Sequence, residues 1–295
     1  MEKSCKTISV ITPFYKGNRY INDLVTNVNA VAARLLAEKG VQMELIVVND
    51  SPEVPVGISV PSEVPITVLN NSENMGIHCS RIRGIRQAQG EWIQMLDQDD
   101  LLIAENYPLQ VDAAQNSDVV VGNCLYYFGE EEQLLYANKA VMQYYMKERR
   151  FLRIRNLIAS PGHCLIRKDA LPIDWLEDPM HVNGADDYFL WMLLFDQGAR
   201  FALNERPVYI HRNSVEGNLS FDLEKMLFSC REMVDLLGRA PSYPRKKIAV
   251  LKRSVDFKYL YDTKKLQLSD WLRYADKVVD NGIYKAVTLW LTLTK

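Results

Sequence analysis

The order of the apolar runs constrains this chain more than any other feature. Short β-branched stretches alternate with longer segments whose apolar residues recur at helical spacing. "TISVITPFY" (7–15), ended by Pro13 and then Gly17, predicts a buried strand and a loop. "INDLVTNVNAVAARLLAEKG" (21–40) puts Leu24, Val28, Val31 and Leu35 on one helical stripe and stops at Gly40. "MELIVVND" (43–50) and "PITVLNN" (65–71) read as two further strands. A helix from residue 76 is stopped by Gly90 and followed by the strand "EWIQML", and "SDVVVGNCLYYF" (117–128) is another strand. Strands alternating with helices predict an α/β fold, a mostly parallel sheet covered by helices on both faces. Ligands of such sheets bind outside the carboxyl ends of the strands, so those ends carry the functional information.

Three of those ends are polar: Thr12-Pro13, Asn49-Asp50 and Asp97-Gln98-Asp99. None carries G-x-G-x-x-G or G-x-x-x-x-G-K-[ST], which disfavours a dinucleotide-binding site or a P-loop. The run "GEWIQMLDQDDLL" instead leads from strand-forming residues into three carboxylates within four positions, Asp97, Asp99 and Asp100. Like charges so close need compensation, either from bulk water at a surface turn or from a divalent cation. A second acidic pair, Asp186 and Asp187, follows Gly184 at the presumed start of a helix, where the helix dipole alone also favours acids.

A net charge of −2 gives no field for a nucleic-acid partner. The five cysteines are scattered and odd in number, which fits a reducing cytoplasm better than a disulfide framework or a zinc site. The N-terminal residues show no apolar leader, and no run reaches the length of a membrane span. From about residue 222 the pattern is helical and increasingly basic, with Arg245-Lys246-Lys247 and Lys252-Arg253 among the aromatics Tyr243, Trp271, Tyr284 and Trp290. Such a tail suits either a solvated helical cap or weak, salt-sensitive peripheral contact with an anionic membrane.

Taken in order, "ISVITPFYKG", "LIVVNDSPEV", "NMGIHCSRIRGI", "GEWIQMLDQDD" and "GADDYFLWMLL" resemble the motifs of the inverting glycosyltransferase family 2, over roughly residues 7–215. The resemblance implies the GT-A fold, with a transferase domain over 1–221 and a helical C-terminal region over 222–295. The nucleotide-sugar half of that domain would run to about residue 125 and the acceptor half from 126 to 221. It implies a nucleotide-sugar donor, a UDP-sugar first among them, and an acceptor hydroxyl on a saccharide or lipid-linked glycan. Mn²⁺ or Mg²⁺ would neutralise the leaving diphosphate.

The same resemblance implies residue roles. Asp99 is the metal ligand, and His211 a weaker candidate for metal or phosphate. Thr12, Pro13, Asp50, Arg81 and Asp97 hold the nucleotide. Asp187 is the general base that takes the acceptor proton, with Asp186 and His163 shaping the acceptor site. Asn49 stands where the family usually carries the first of two acids. Two other readings stay open: a sugar nucleotidyltransferase, for which "TPFYKGNRY" is a poor triphosphate loop, and a catalytically silent nucleotide-sugar or glycan-binding module.

Overall fold

The computed structural model describes residues 6–128, 131–212 and 222–294. Cys5 and residues 213–221, where the boundary between transferase domain and tail is expected, lie outside them. The described chain packs as two compact units. One runs to Tyr136 and takes in Ser160–Leu171 and the segment from Ala199 through the last strand; the other gathers Ala137–Ala159, Pro172–Gly198 and the C-terminal helices.

All strands lie in the first unit. β1 (Thr7–Phe14), β2 (Gln42–Asn49), β3 (Ile66–Asn70) and β4 (Trp92–Met95) form a parallel half with β1 between β2 and β4. Between β1 and β2 runs α1 (Asn18–Lys39), which buries the expected stripe of Leu24, Val28, Val31 and Leu35. It ends in a left-handed Gly40, whose N–H and that of Val41 return to the carbonyls of Leu36 and Leu35. α2 (Ile77–Gln87) stops three residues before the Gly90 expected to end it.

Beyond β4 the sheet changes sense, which the apolar pattern does not announce. β5 (Leu101–Leu102) follows β4, α3 (Tyr107–Ala113) leads on to β6 (Val119–Phe128), and β6 carries the antiparallel β7 (Glu131–Leu134). β8 (Cys164–Arg167) is antiparallel to both β4 and β6, while β9 (Phe201–His211) runs parallel to β6 and antiparallel to β5. The order is β3-β2-β1-β4-β8-β6-β9-β5, a mixed but mostly parallel α/β sheet flanked by helices. Its significance is positional: β9 returns its end, His211, to the two-residue strand that follows the acidic run.

α2 lies on β1 with almost no clearance. A Cβ built on Gly84 would sit 2.4 Å from Ile11 Cγ2 and 3.2 Å from Val48 Cγ2. Ile11 and Val48 are fully buried, so neither can yield. Gly84→Ala should therefore destabilise the protein by about 1–3 kcal/mol through overpacking, against a helix-propensity gain of about 1 kcal/mol. Urea unfolding that shows Gly84→Ala equal to or more stable than the parent would refute this close approach.

The second unit is helical. α4 (Lys139–Tyr145), α5 (Glu148–Arg153), α6 (Ile173–Glu177) and α7 (Asp186–Asp196) join α8 (Leu223–Arg239), α9 (Arg245–Asp262), α10 (Leu268–Arg273) and α11 (Ala275–Leu293). α7 is buried along nearly its whole length, from Asp186 to Leu194. Among the described residues no helix is long and apolar enough to cross a membrane.

Candidate active site

At the carboxyl ends of β1, β2 and β4 the parallel register brings Thr12, Asp50 and Asp97 to one edge. Thr12 is fully buried and its Oγ1 has no hydrogen-bond partner among the described residues, an orphan polar atom at a strand end. Pro13 beside it is half-buried. Asn49 is fully buried and uses its whole amide: Nδ2 donates to the Val54 carbonyl and Asn70 Oδ1, and Oδ1 accepts from the Ser51 N–H and hydroxyl. A carboxylate could not donate those two bonds, which accounts for the neutral residue at this position.

Asp50 accepts from Asn71 Nδ2 at 2.6 Å, from the Met75 N–H at 2.7 Å and from the Gly76 N–H at 2.9 Å. Its first task is therefore to fix the loop that opens α2, where Gly76 takes φ +86°. Gly76 closes the "NMG" of the quoted motif, whereas Asn71 was not singled out from the sequence.

The acids of the "DQDD" run divide into three different environments. Asp97 pairs with the buried Arg81 of α2, Nη2 to Oδ1 at 2.7 Å. Asp100 is almost wholly buried and accepts from the Tyr209 hydroxyl, from the Arg212 N–H at 2.8 Å, and from His211 Nδ1 at 3.2 Å. Asp99, half-buried between them, makes no ion pair among the described residues, and its carboxylate is held only by its own backbone N–H and the more distant charge of His211. Burial first, and then the charges of Asp100 and Asp97, push its carboxyl up to about 6. A cation placed against Asp99 would relieve all three causes. The Gln98 side chain points elsewhere, accepting from the Tyr15 N–H at 2.9 Å and donating to the Tyr15 carbonyl, so it clasps the β1 loop to the acidic run.

His211 lies on Asp100, with Nδ1 also 3.4 Å from the Tyr209 hydroxyl. Burial works to lower its pKa, but the Asp100 hydrogen bond and the charges of Asp100, Asp97 and Asp99 prevail and hold it above the ordinary value. Tyr209 reaches Asp100 only because Gly162 is bare: a Cβ there would lie 2.2 Å from the Tyr209 ring. Ser160 completes this group, its Oγ 3.0 Å from the Tyr209 hydroxyl. Tyr209, Ser160 and Gly162 were missed from sequence because their roles exist only once β9 comes beside the 160–163 turn.

His163 corrects its expected place on an acceptor-facing loop. It is wholly enclosed, Nδ1 is 2.8 Å from the Gly122 carbonyl, and its ring packs near Tyr136 and Tyr209. Burial lowers its pKa to about 4 despite that hydrogen bond, so it is a neutral core histidine. The sign of its linkage to folding follows. Its stabilising contribution is complete above about pH 6.5, where the unfolded chain is also neutral, and is lost as pH falls towards 4, amounting to about 3 kcal/mol. Asp99, with a raised pKa, has the opposite slope, so the measurement is a difference. The stability gap between the parent and His163→Gln should shrink by about 3 kcal/mol between pH 7 and pH 4. A gap independent of pH would overturn the neutral burial of His163.

Asp186 and Asp187 belong to the helical unit, at the start of α7. Gly184 precedes them at φ +133°, and the Ala185 N–H donates to Ser229 Oγ, fixing the turn against α8. Trp175 Nε1 donates to the Asp186 carbonyl at 2.8 Å. Asp187 Oδ1 accepts from the Tyr188 N–H at 2.6 Å and Oδ2 from Asn156 Nδ2 at 2.9 Å, leaving an oriented and largely buried carboxylate.

Among the described residues no group of three or more His, Cys, Asp or Glu side chains converges on one point. A hard dication here would use one or two carboxylates and complete its shell with phosphate and water, and Asp99, which has no ion pair among the described residues, fits that demand.

The α/β sheet gathers its polar strand ends and the acidic D-Q-D-D turn at the carboxyl ends of β1, β2 and β4, where ligands of such sheets bind. The profile described as Glycosyl transferase family 2 matches residues 9–172, and the chain belongs to that family of glycosyltransferase enzymes. The match sets aside the nucleotidyltransferase reading. An uncharacterized glycosyltransferase of Haemophilus influenzae is 24% identical over 221 residues, 73% of this chain and 71% of that protein. The dolichol-phosphate mannosyltransferase of Pyrococcus furiosus is 27% identical over 120 residues, 39% of this chain and 32% of the relative. Among solved structures, Staphylococcus aureus TarS 1-349 in complex with UDP-GlcNAc superposes with a TM-score of 0.58 at 16% identity, covering 92% of this chain and 79% of that one. The mannosyltransferase PcManGT of Pyrobaculum calidifontis, in complex with GDP-Man and Mn²⁺, gives 0.53 at 13% identity, covering 96% and 83%. These likenesses show the shared GT-A fold.

Proposed function

We propose that this glycosyltransferase is inverting and divalent-metal-dependent, and moves a sugar from a UDP-sugar to a hydroxyl of a saccharide or lipid-linked glycan. The observation that carries the reading is the separation of the three acids. Asp97 is neutralised by Arg81, Asp100 is tied to His211 and Tyr209, and Asp99 is the least compensated of the three, its own N–H and the charge of His211 being outweighed by burial and the two neighbouring acids. Structural relatives bound to UDP, UDP-GlcNAc, or GDP-Man with Mn²⁺ support a nucleotide-sugar donor.

In this reading Thr12 offers its orphan hydroxyl, and Pro13 its ring, to the nucleotide. Asp50 holds the loop at the base, while Arg81 fixes Asp97 for the ribose. Asp99 would hold the ion, with His211 next to it, anchored through Asp100. A bound divalent cation supplies positive charge against the departing diphosphate. Asp187 takes the proton of the acceptor hydroxyl as the glycosidic bond forms, and Asp186 shapes the acceptor site. Calorimetry of UDP should show affinity at least tenfold higher with Mn²⁺ than in EDTA. Equal affinity in the two would sink the metal assignment.

The tail is proposed to meet a lipid-linked acceptor through apolar rather than basic groups. Lys247 is paired with Asp196 and Glu148, and Arg253 with Asp276, so the basic clusters are already partly neutralised. Leu268, Trp271, Leu272 and Trp290 are instead exposed.

A further inference from the structure

The helical unit contains a cavity of about 240 Å³ beside the start of α7. Its wall includes Gly184, Ala185 and Asn156, the last of which is the hydrogen-bond donor to Asp187. The remaining wall is largely carbon, from Ile154, Met226, Leu227 and Val255.

We propose that this cavity is a subsite for a hydrocarbon group of the acceptor, an acyl, prenyl or aryl portion, held while the acceptor hydroxyl is presented to Asp187. The proposal rests on Asp187 being the base and adds the chemical class of what binds next to it. The polar groups around the cavity decide that class, because each already has a partner. Asn156 Nδ2 donates to Asp187 while its Oδ1 accepts from the Ile158 N–H. The Ser254 hydroxyl is directed to the carbonyls of Leu152 and Val250. The Tyr188 hydroxyl donates to the Phe151 carbonyl, and Tyr259 accepts from Lys265. Lys258 is paired with Asp262, and the Arg155 guanidinium lies over the Tyr284 ring at 5.8 Å.

A sugar ring seated against the carbon wall of Ile154, Met226, Leu227 and Val255 would lose its water there without gaining hydrogen bonds, a penalty that a hydrocarbon does not carry. Of the two cations in the lining, Lys258 is paired with Asp262 and Arg155 lies over the Tyr284 ring, so a phosphate would gain at most one guanidinium while meeting the Asp262 carboxylate. The size is also sufficient: a carbon-lined cavity of roughly 150 Å³ stays dry and takes up benzene, so this one has room for a somewhat larger group.

The test is a binding series with methyl, hexyl and octyl β-glucoside, each below its micelle concentration, measured calorimetrically on the full chain. Affinity should rise about three- to fourfold per added methylene until the cavity is full. Val255→Phe and Cys230→Met, two independent ways of filling the space, should flatten that rise while leaving UDP binding with Mn²⁺ within twofold of the parent. Two variants are used because either alone could disturb α8 or α9, and retained UDP binding and a single cooperative melt identify a folded protein. A parent that binds methyl and octyl glucoside equally overturns the subsite, as does a slope that persists in both folded variants. The two layers separate cleanly. A chain-length slope in a protein whose Asp187→Asn variant still transfers sugar removes the base assignment, and with it the acceptor role of the cavity. Loss of transfer in that variant without any slope removes only the subsite.

Discussion

Asp99→Asn should lower transfer by about 10²–10⁴-fold, the several kcal/mol that a bound metal gives to a charged leaving group. The residue is half-buried, unpaired among the described residues and raised to about 6, so it contributes nothing evident to holding the fold. The variant should lose the Mn²⁺ enhancement of UDP binding and melt at or slightly above the parent temperature, because a repulsive charge has been removed. Asp100→Asn gives the contrast. It weakens the contacts to Tyr209, His211 and Arg212, so it should lower the melting temperature as well as the activity. If Asp99→Asn keeps wild-type turnover and a metal-dependent UDP affinity, Asp99 is not the ligand.

The second large effect is expected at Asp187. Asp187→Asn should reduce transfer by about 10²–10⁴-fold, the usual value of a positioned general base, with donor binding unchanged within twofold. The geometry also forecasts a stability cost. With Oδ1 kept on the Tyr188 N–H, the new amide nitrogen would face Asn156 Nδ2, and Asn156 cannot simply turn because its Oδ1 accepts from Ile158. Two donors face to face leave one unsatisfied, costing about 1–3 kcal/mol. Turnover should therefore fall far more than the folded fraction at assay temperature. Product NMR, followed with the parent enzyme, should show an anomeric configuration opposite to that of the donor. Retained configuration, or an Asp187→Asn variant with normal turnover, would exclude Asp187 as an inverting base.

The parallel half of the fold was legible from the chain because each of its elements is locally determined. β1, α1 and β2 are apolar patterns of period two or 3.6 closed by Pro, Gly or acid residues, and those patterns persist whatever surrounds them. Asp97, Asp99 and Asp100 were visible as a group for the same reason, since adjacency in sequence guaranteed their proximity. What each does was not visible. Arg81, sixteen positions away, takes Asp97; the end of β9, more than a hundred positions away, takes Asp100; and Asp99 acquires its character from what the other two have lost. His163 shows the converse, a residue on a promising turn that burial withdraws from solvent. Even the division of the chain follows this rule: the tail appeared continuous from residue 222, yet its helices pack in one unit with 137–159 and 172–198. Sequence determines local conformation and supplies the charges. Only tertiary packing, of α2 beside Asp97 and of β9 beside Asp100, decides which charges are cancelled, because Coulomb and desolvation energies depend on neighbours in space and not on order along the chain.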